Sequence, residues 1–255
     1  LAGCAQTSFK SHRSPSSLGA FEDGFTQPLE GTALDIEMVH IPIEKDEQGT
    51  SVGGFWVSQT EITWEFYDVF IYRMDGSETT SKKDVDAISR PSKPYIAMDR
   101  GFGHAGYPAI SVSFHGATEF CKWLSLKTGR DYRLPTEQEW KALCARSGIN
   151  TINATDHAWY KGNAKYKSHE VGSKKADALG LHDLWGNAQE WCVTQDNDEG
   201  VTLGGSYKNT LQHIGCGARA EPTSVWNASD PQFPKSVWWL ADGGFIGFRV
   251  ICDKK

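Results

Sequence analysis

The chain lacks any uninterrupted apolar run of roughly the 18 residues a membrane-crossing helix needs, so nothing in it reads as a transmembrane span. It also lacks basic excess: 26 Lys and Arg stand against 32 Asp and Glu, a formal net charge of −6. A phosphate backbone demands clustered cations, so nucleic acid is excluded as a partner. His40, His104, His115, His157, His169, His182 and His213 show no H-x-x-x-H spacing, which leaves no ground for a zinc or iron centre. A G-x-S-x-G elbow, a P-loop, a Rossmann fingerprint and a repeat of 20–50 residues are all missing.

What is present is aromatic and glycine-rich. The 255 residues include 10 Trp and 26 Gly, and a chain of this length suits one large mixed domain or two small ones. A core of adequate size needs no metal or disulfide, since roughly 70–75% of the unfolded surface can be buried. Trp is costly unless its ring is packed and its N–H paired. The ten are therefore either core residues of a loop-rich fold or part of an aromatic recognition surface. The first residues, Leu1-Ala2-Gly3-Cys4, resemble a bacterial lipobox. Either this is a chance tetrapeptide, or Cys4 carries lipid that anchors the chain to a membrane, outside the cytoplasm.

Residues 1–32 read as that lipobox remnant and a flexible tether, with Ser, Gly and Pro scattered through 5–30 and no sustained period. The domain is expected over 33–255. Leu34, Ile36, Met38, Val39, Ile41 and Ile43 give a near-alternating strand, and Phe55–Val57 a second. Trp64–Arg73 and His115–Lys127 have helical spacing, with Val112 and Phe114 forming a short strand before the latter. Thr136 and Glu139 make a capping box that starts a helix running to about Arg146. Short apolar pieces fill 183–252. Two early helices packed on short antiparallel strands, with over half of the chain in loops, predict an α+β fold. Loops of such length are uncommon unless functional.

Several segments, in order, resemble the formylglycine-generating enzyme (sulfatase-modifying factor) family. They are Phe55–Thr63, Tyr107–Ser113, Arg133–Trp140, Gly180–Trp191, Leu203–Tyr207 and Gly247–Arg249. The resemblance covers about 33–252 and implies an elaborated C-type lectin fold. In the family's enzymes a cysteine pair just after the Gly-Gly-Ser strand binds copper, the soft metal that thiolates suit. Here the first position reads as Asn209 and the second has no counterpart, so copper and oxidation of a substrate cysteine are not expected.

The resemblance also places Cys144 and Cys216 at a family disulfide. Cys121 matches one end of a second bridge whose partner position is Val250, with Cys252 two residues on; Cys121–Cys252 is the expected pair. Spacing alone fixes no connectivity. Cys192 is left over, either buried and inert or reactive. A family calcium site maps to the side chains of Asp183 and Glu190 and the carbonyls of Gly186 and Ala188, oxygen ligands that a hard cation wants. The alternative is a loop held by the same carboxylates bonding to backbone amides. A second family site would need Asn163, Ala164 and an acidic loop that is missing here.

The function is expected in 207–244, between retained framework pieces. Candidate ligand-binding residues are Tyr207, Lys208, Asn209, Thr210, Gln212, His213, Glu221, Ser224, Trp226, Asn227 and Trp239, a mixture suited to recognition of a protein or glycan. One of Trp238 and Trp239 is expected to face inward. Asp230–Trp239 is similar to a framework element of family members without the cysteine pair. Three readings remain open here. One is a non-catalytic surface lipoprotein similar to the variable proteins of diversity-generating retroelements. Another is a periplasmic oxidase of siderophore-maturation type with Glu221 as base. The last is a structural envelope lipoprotein.

Overall fold

The computed structural model describes residues 24–45, 49–76, 89–194 and 200–254. Strand alternation sets its first layer. In β2 (Asp35–Ile41), Ile36 and Met38 face one apolar core while Val39 and Ile41 face another, as a period of two dictates. β2 pairs antiparallel with β1 (Phe25–Pro28) and β5 (Phe55–Ser58). A hairpin of β3 (Glu44–Lys45) and β4 (Ser51–Val52) lies between β2 and β5 in sequence. β11 (Ile251–Asp253) and β6 (Tyr132–Arg133) complete the order β1-β2-β5-β11-β6. On β11, Ile251 joins the second core and Cys252 the first. The sheet is thus a partition buried on both faces.

Helices α1 (Trp64–Tyr72) and α2 (Phe114–Thr128) fill the first core. Tyr67, Phe70, Phe120 and Trp123 meet there, with Tyr67–Phe120 centroids 5.7 Å apart and Phe120–Trp123 5.4 Å. The second core holds Trp140, Leu143 and Cys144 of α3 (Glu137–Arg146). Against α3 lies a second sheet in the order β10-β7-β8-β9, comprising β7 (Gln189–Val193), β8 (Gly200–Gly204), β9 (Gly215–Ala220) and β10 (Ile246–Gly247). Its β10–β7 pair is parallel. A single turn, α4 (Ala154–His157), interrupts the long loop after α3.

Helix starts follow the side chains. The Thr136 hydroxyl accepts from the Glu139 amide at 3.2 Å and the Glu139 carboxylate accepts from the Thr136 amide at 2.8 Å, closing the capping box. Ser113 caps α2 by accepting from the Gly116 amide at 3.0 Å. That cap corrects one expectation: Phe114 is the first residue of α2 rather than part of a strand, and Val112 makes only an isolated bridge to Trp239. A second correction concerns the tether. Phe25–Pro28 forms the sheet's edge and Leu29 is buried, so the domain begins ahead of residue 33. The three helices expected from the sequence all form. The lipobox and Cys4 lie outside the described residues.

Candidate functional site

β8 ends in Gly204-Gly205, both left-handed at φ 88° and 76°. A Cβ on Gly204 would stand 2.7 Å from the Leu184 carbonyl oxygen, so glycine is required for this turn. Asn209 then closes it: its Oδ1 accepts from the Ser206 amide and the Ser206 hydroxyl, both at 2.9 Å. A short 3-10 turn, Leu211–His213, leads into β9. Gly215 faces Gly204 while Arg219 faces the adjacent Leu203, so Cys216, Gly217 and Ala218 arch out of the ladder.

Between the arch and the 209–214 turn lies a pocket of about 520 Å³, within the range of small-ligand sites. Asn209, Gln212 and His213 form one wall, the arch another, and Trp185, Gln189 and Thr202 contribute from beneath, with Thr151 also lining it. Gln189 donates to the Thr202 hydroxyl at 2.7 Å, which donates to the Ala220 carbonyl at 3.1 Å, fixing the polar floor. A Cys144–Cys216 disulfide, closing a separation of 72 residues, ties the arch to α3. Among the described residues no carboxylate lines the pocket; Arg219 does, with Glu137 and Glu221 each at 2.9 Å.

The expected ligand-binding residues divide. Asn209, Gln212 and His213 meet in the pocket, and Thr210 bonds His213 at 2.7 Å beside it. Tyr207 and Trp239 are corrections, for both are 1% exposed. The Tyr207 hydroxyl donates to the Gly244 carbonyl at 3.0 Å and the Trp239 indole N–H to the Ser92 carbonyl at 2.8 Å. Trp226 packs edge-on to Trp191, Asn227 accepts from the Ala241 amide at 2.8 Å, and the Lys208 ammonium sits 4.4 Å over Phe245. Glu221 and Ser224 are exposed and do not line the pocket. Glu221 is in an ion pair with Arg219, not arranged as a general base. The sequence reading missed Gln189, Thr202 and the arch. The Gly215-Cys216-Gly217 spacing was the available signal, since glycines inside a strand mark bulges.

The expected calcium ligands do not fit that ion. Both Glu190 oxygens accept from the buried Arg249 guanidinium, at 2.6 and 2.7 Å, and one also from the Trp140 indole at 2.7 Å. Asp183 accepts from the Gly172 amide at 2.7 Å, leaving its other oxygen, like one oxygen of Glu61, buried without a hydrogen bond. Among the described residues no set of three His, Cys, Asp or Glu is placed to hold a metal. Burial, then the charges of Asp183 and Glu190, push the Glu61 carboxyl well above the usual range. Burial raises Asp183 to about 6. Two of the carboxyls around this guanidinium, Glu61 and Asp183, are thus shifted toward their neutral forms.

Cys121, Cys192 and Cys252 are free and buried, so the expected Cys121–Cys252 pair is not made. Cys252 shares the face of Val250 but lies one two-residue step along, about 7 Å, beyond the reach of a bridge built at the earlier position. Burial raises the Cys121 and Cys192 thiols above their ordinary range, as an inert thiol requires. Asn163 donates to the Ala158 carbonyl, and Ala164 presents its carbonyl to a ring nitrogen of His169 at 2.9 Å.

Residues 19–254 match the model of the family described as the Sulfatase-modifying factor enzyme 1-like domain. The serine/threonine-protein kinase Pkn1 of Chlamydia trachomatis is 30% identical over 93 residues, 35% of this chain and 14% of that protein. The inactive C-alpha-formylglycine-generating enzyme 2 of Bos taurus is 32% identical over 126 residues, 41% of this chain and 40% of the relative. The match thus spans less than half the length of either. Treponema denticola variable protein 1 superposes with a TM-score of 0.60 at 18% identity, over 91% of this chain and 99% of the other. That likeness shows the fold, an α+β arrangement of the C-type lectin type.

Proposed function

From the chain's membership of the Sulfatase-modifying factor enzyme 1-like family, we propose that it is a non-catalytic binding domain whose ligand seats between the Gly-Gly-Ser turn and the β9 arch. Asn209 carries this reading. It stands where the enzymes of the family are expected to place a copper-binding thiol, and its side chain instead closes the turn. Among the described residues, the pocket's one lining sulfur, Cys216, is held in a disulfide. The bovine relative described as inactive and the fold of the variable protein agree with a family frame used without the enzyme's chemistry. Residues 209–220 lie between the framework pieces Gly204–Ser206 and Gly247–Arg249, where an exchangeable ligand surface would sit. The Cys144–Cys216 disulfide suits an oxidising compartment.

The test fills the pocket. A Cβ on Gly217 meets nothing within 4 Å, so Gly217→Trp can occupy the space without disturbing the core. Arrays of glycans and extracellular proteins are probed with the wild-type chain and with this variant, whose thermal stability is expected to be unchanged. Bound spots are expected to vanish with the variant. Oxygen uptake with a cysteine-containing peptide and cuprous ion is expected to stay at the blank rate, and steady turnover would overturn the proposal.

A further inference from the structure

We infer that the pocket's ligand is an anionic polysaccharide, its carboxylate or sulfate groups met by lysines of the neighbouring 159–175 segment. This rests on the pocket being the binding site. The segment carries Lys161, Lys165, Lys167, Lys174 and Lys175 against one acid, Glu170, in a chain whose net charge is −6. Lys175 is neutralised by Asp156 at 2.7 Å, and Lys174 donates to the Thr155 carbonyl at 2.7 Å. Among the described residues Lys161, Lys165 and Lys167 make no ion pair.

Lys161 adjoins the pocket through its backbone. The Lys161 amide donates to the carbonyl of Asn209, a pocket-wall residue, at 2.9 Å. The Lys161 ammonium lies 5.9 Å from the centre of the Tyr166 ring, which is 64% exposed. Lys165 and Tyr166 are both left-handed, φ 52° and 58°, a conformation that non-glycine residues rarely adopt and that clusters at ligand sites. Burial holds His169 below its usual range; a hydrogen bond to Ala164 opposes this, and the charges of Lys167, Lys174 and Lys165 add to it. A lining that holds no carboxylate among the described residues, next to a segment whose Lys161, Lys165 and Lys167 make no ion pair, is complementary to an anion.

An exposed ring beside a cation fits an acidic sugar, whose C–H face stacks while its anionic group meets the lysine. An acidic peptide would add to a sheet edge, but the pocket's side of that edge is the arch Cys216–Ala218, where the ladder is broken.

The experiment measures affinity for oligomers of heparin and of polygalacturonate, with neutral dextran and poly-glutamate as comparators. At least one anionic glycan is expected to bind, more weakly as salt rises from about 50 to 200 mM. Combined Lys161→Ala, Lys165→Ala and Lys167→Ala should weaken it about ten-fold or more, as should Gly217→Trp. Lys45→Ala, Lys93→Ala and Lys122→Ala together, remote in sequence from the site, should not. Equal binding of dextran, stronger binding of poly-glutamate, or indifference to the first triple substitution overturns the inference. Failure of both glycans, with array hits still lost in Gly217→Trp, overturns it alone. Array hits indifferent to Gly217→Trp overturn the pocket itself.

Discussion

Arg249 is fully buried, and its guanidinium donates to Glu190, to the His182 carbonyl at 2.8 Å and to the Ser58 carbonyl at 3.1 Å. One side chain thereby joins the first sheet, the 182 loop and β7. Arg249→Leu would leave Glu190 unpaired beside Glu61 and Asp183, and removing one partner of a buried pair costs about 3–5 kcal/mol. Urea denaturation should show that loss, with Glu190→Leu added in the same chain restoring part of it. His104 behaves differently because it is half-exposed, bridging Asp68 at 2.7 Å and Asp99 at 3.2 Å. Partial burial pulls its pKa down, but the bonds and charges of the two aspartates leave it above the usual 6.5. A raised pKa means stability fully present below about pH 6.5 and lost as the pH climbs through the folded value. The difference in unfolding free energy between wild type and His104→Gln should shrink as the pH rises from about 6.5 through the folded value, from a maximum near 0.5 kcal/mol set by solvent screening. Arg249 and Glu190 each stood in a framework motif, but their pairing across 59 residues was not legible, because a motif names residues and not their partners.

At the scale of elements, local chemistry was the most legible part. The capping box at Thr136 and the apolar stripe of α2 depend on neighbours within one or two turns, and both formed where the pattern placed them. β1 was hidden because Phe25–Pro28 is short and ends in Pro, and it becomes a strand only by pairing with β2. The β9 arch was hidden for the same reason, being defined by its misfit with β8. One covalent tie restrains it. Replacing Cys144 and Cys216 together by Ala removes a link across 72 residues, and loop-closure entropy puts the cost at about 4 kcal/mol. Thermal unfolding should fall accordingly, and ligand binding should weaken further because the arch loses its anchor.

Over the whole molecule, the partition sheet makes the two cores interdependent. Ile36 and Met38 serve one and Val39 and Ile41 the other, on the same seven-residue strand. Neither core can lose its packing without releasing β2 from the other. Urea unfolding followed by tryptophan fluorescence and by far-UV circular dichroism should therefore give coincident single transitions; separated midpoints would show that the cores melt independently. The amino-acid order by itself determined the helices, the main strands, the family framework and the absence of a thiol at 209, since each is written in adjacent residues or in a motif. Only the tertiary structure decided which polar and aromatic side chains remain available. Tyr207, Trp239 and Glu190 looked functional and are occupied by internal hydrogen bonds, whereas Gln189, Thr202 and Gly217 looked ordinary and build the pocket. Periodicity reports which way a residue faces along its own element; what it meets there depends on residues far away in the chain.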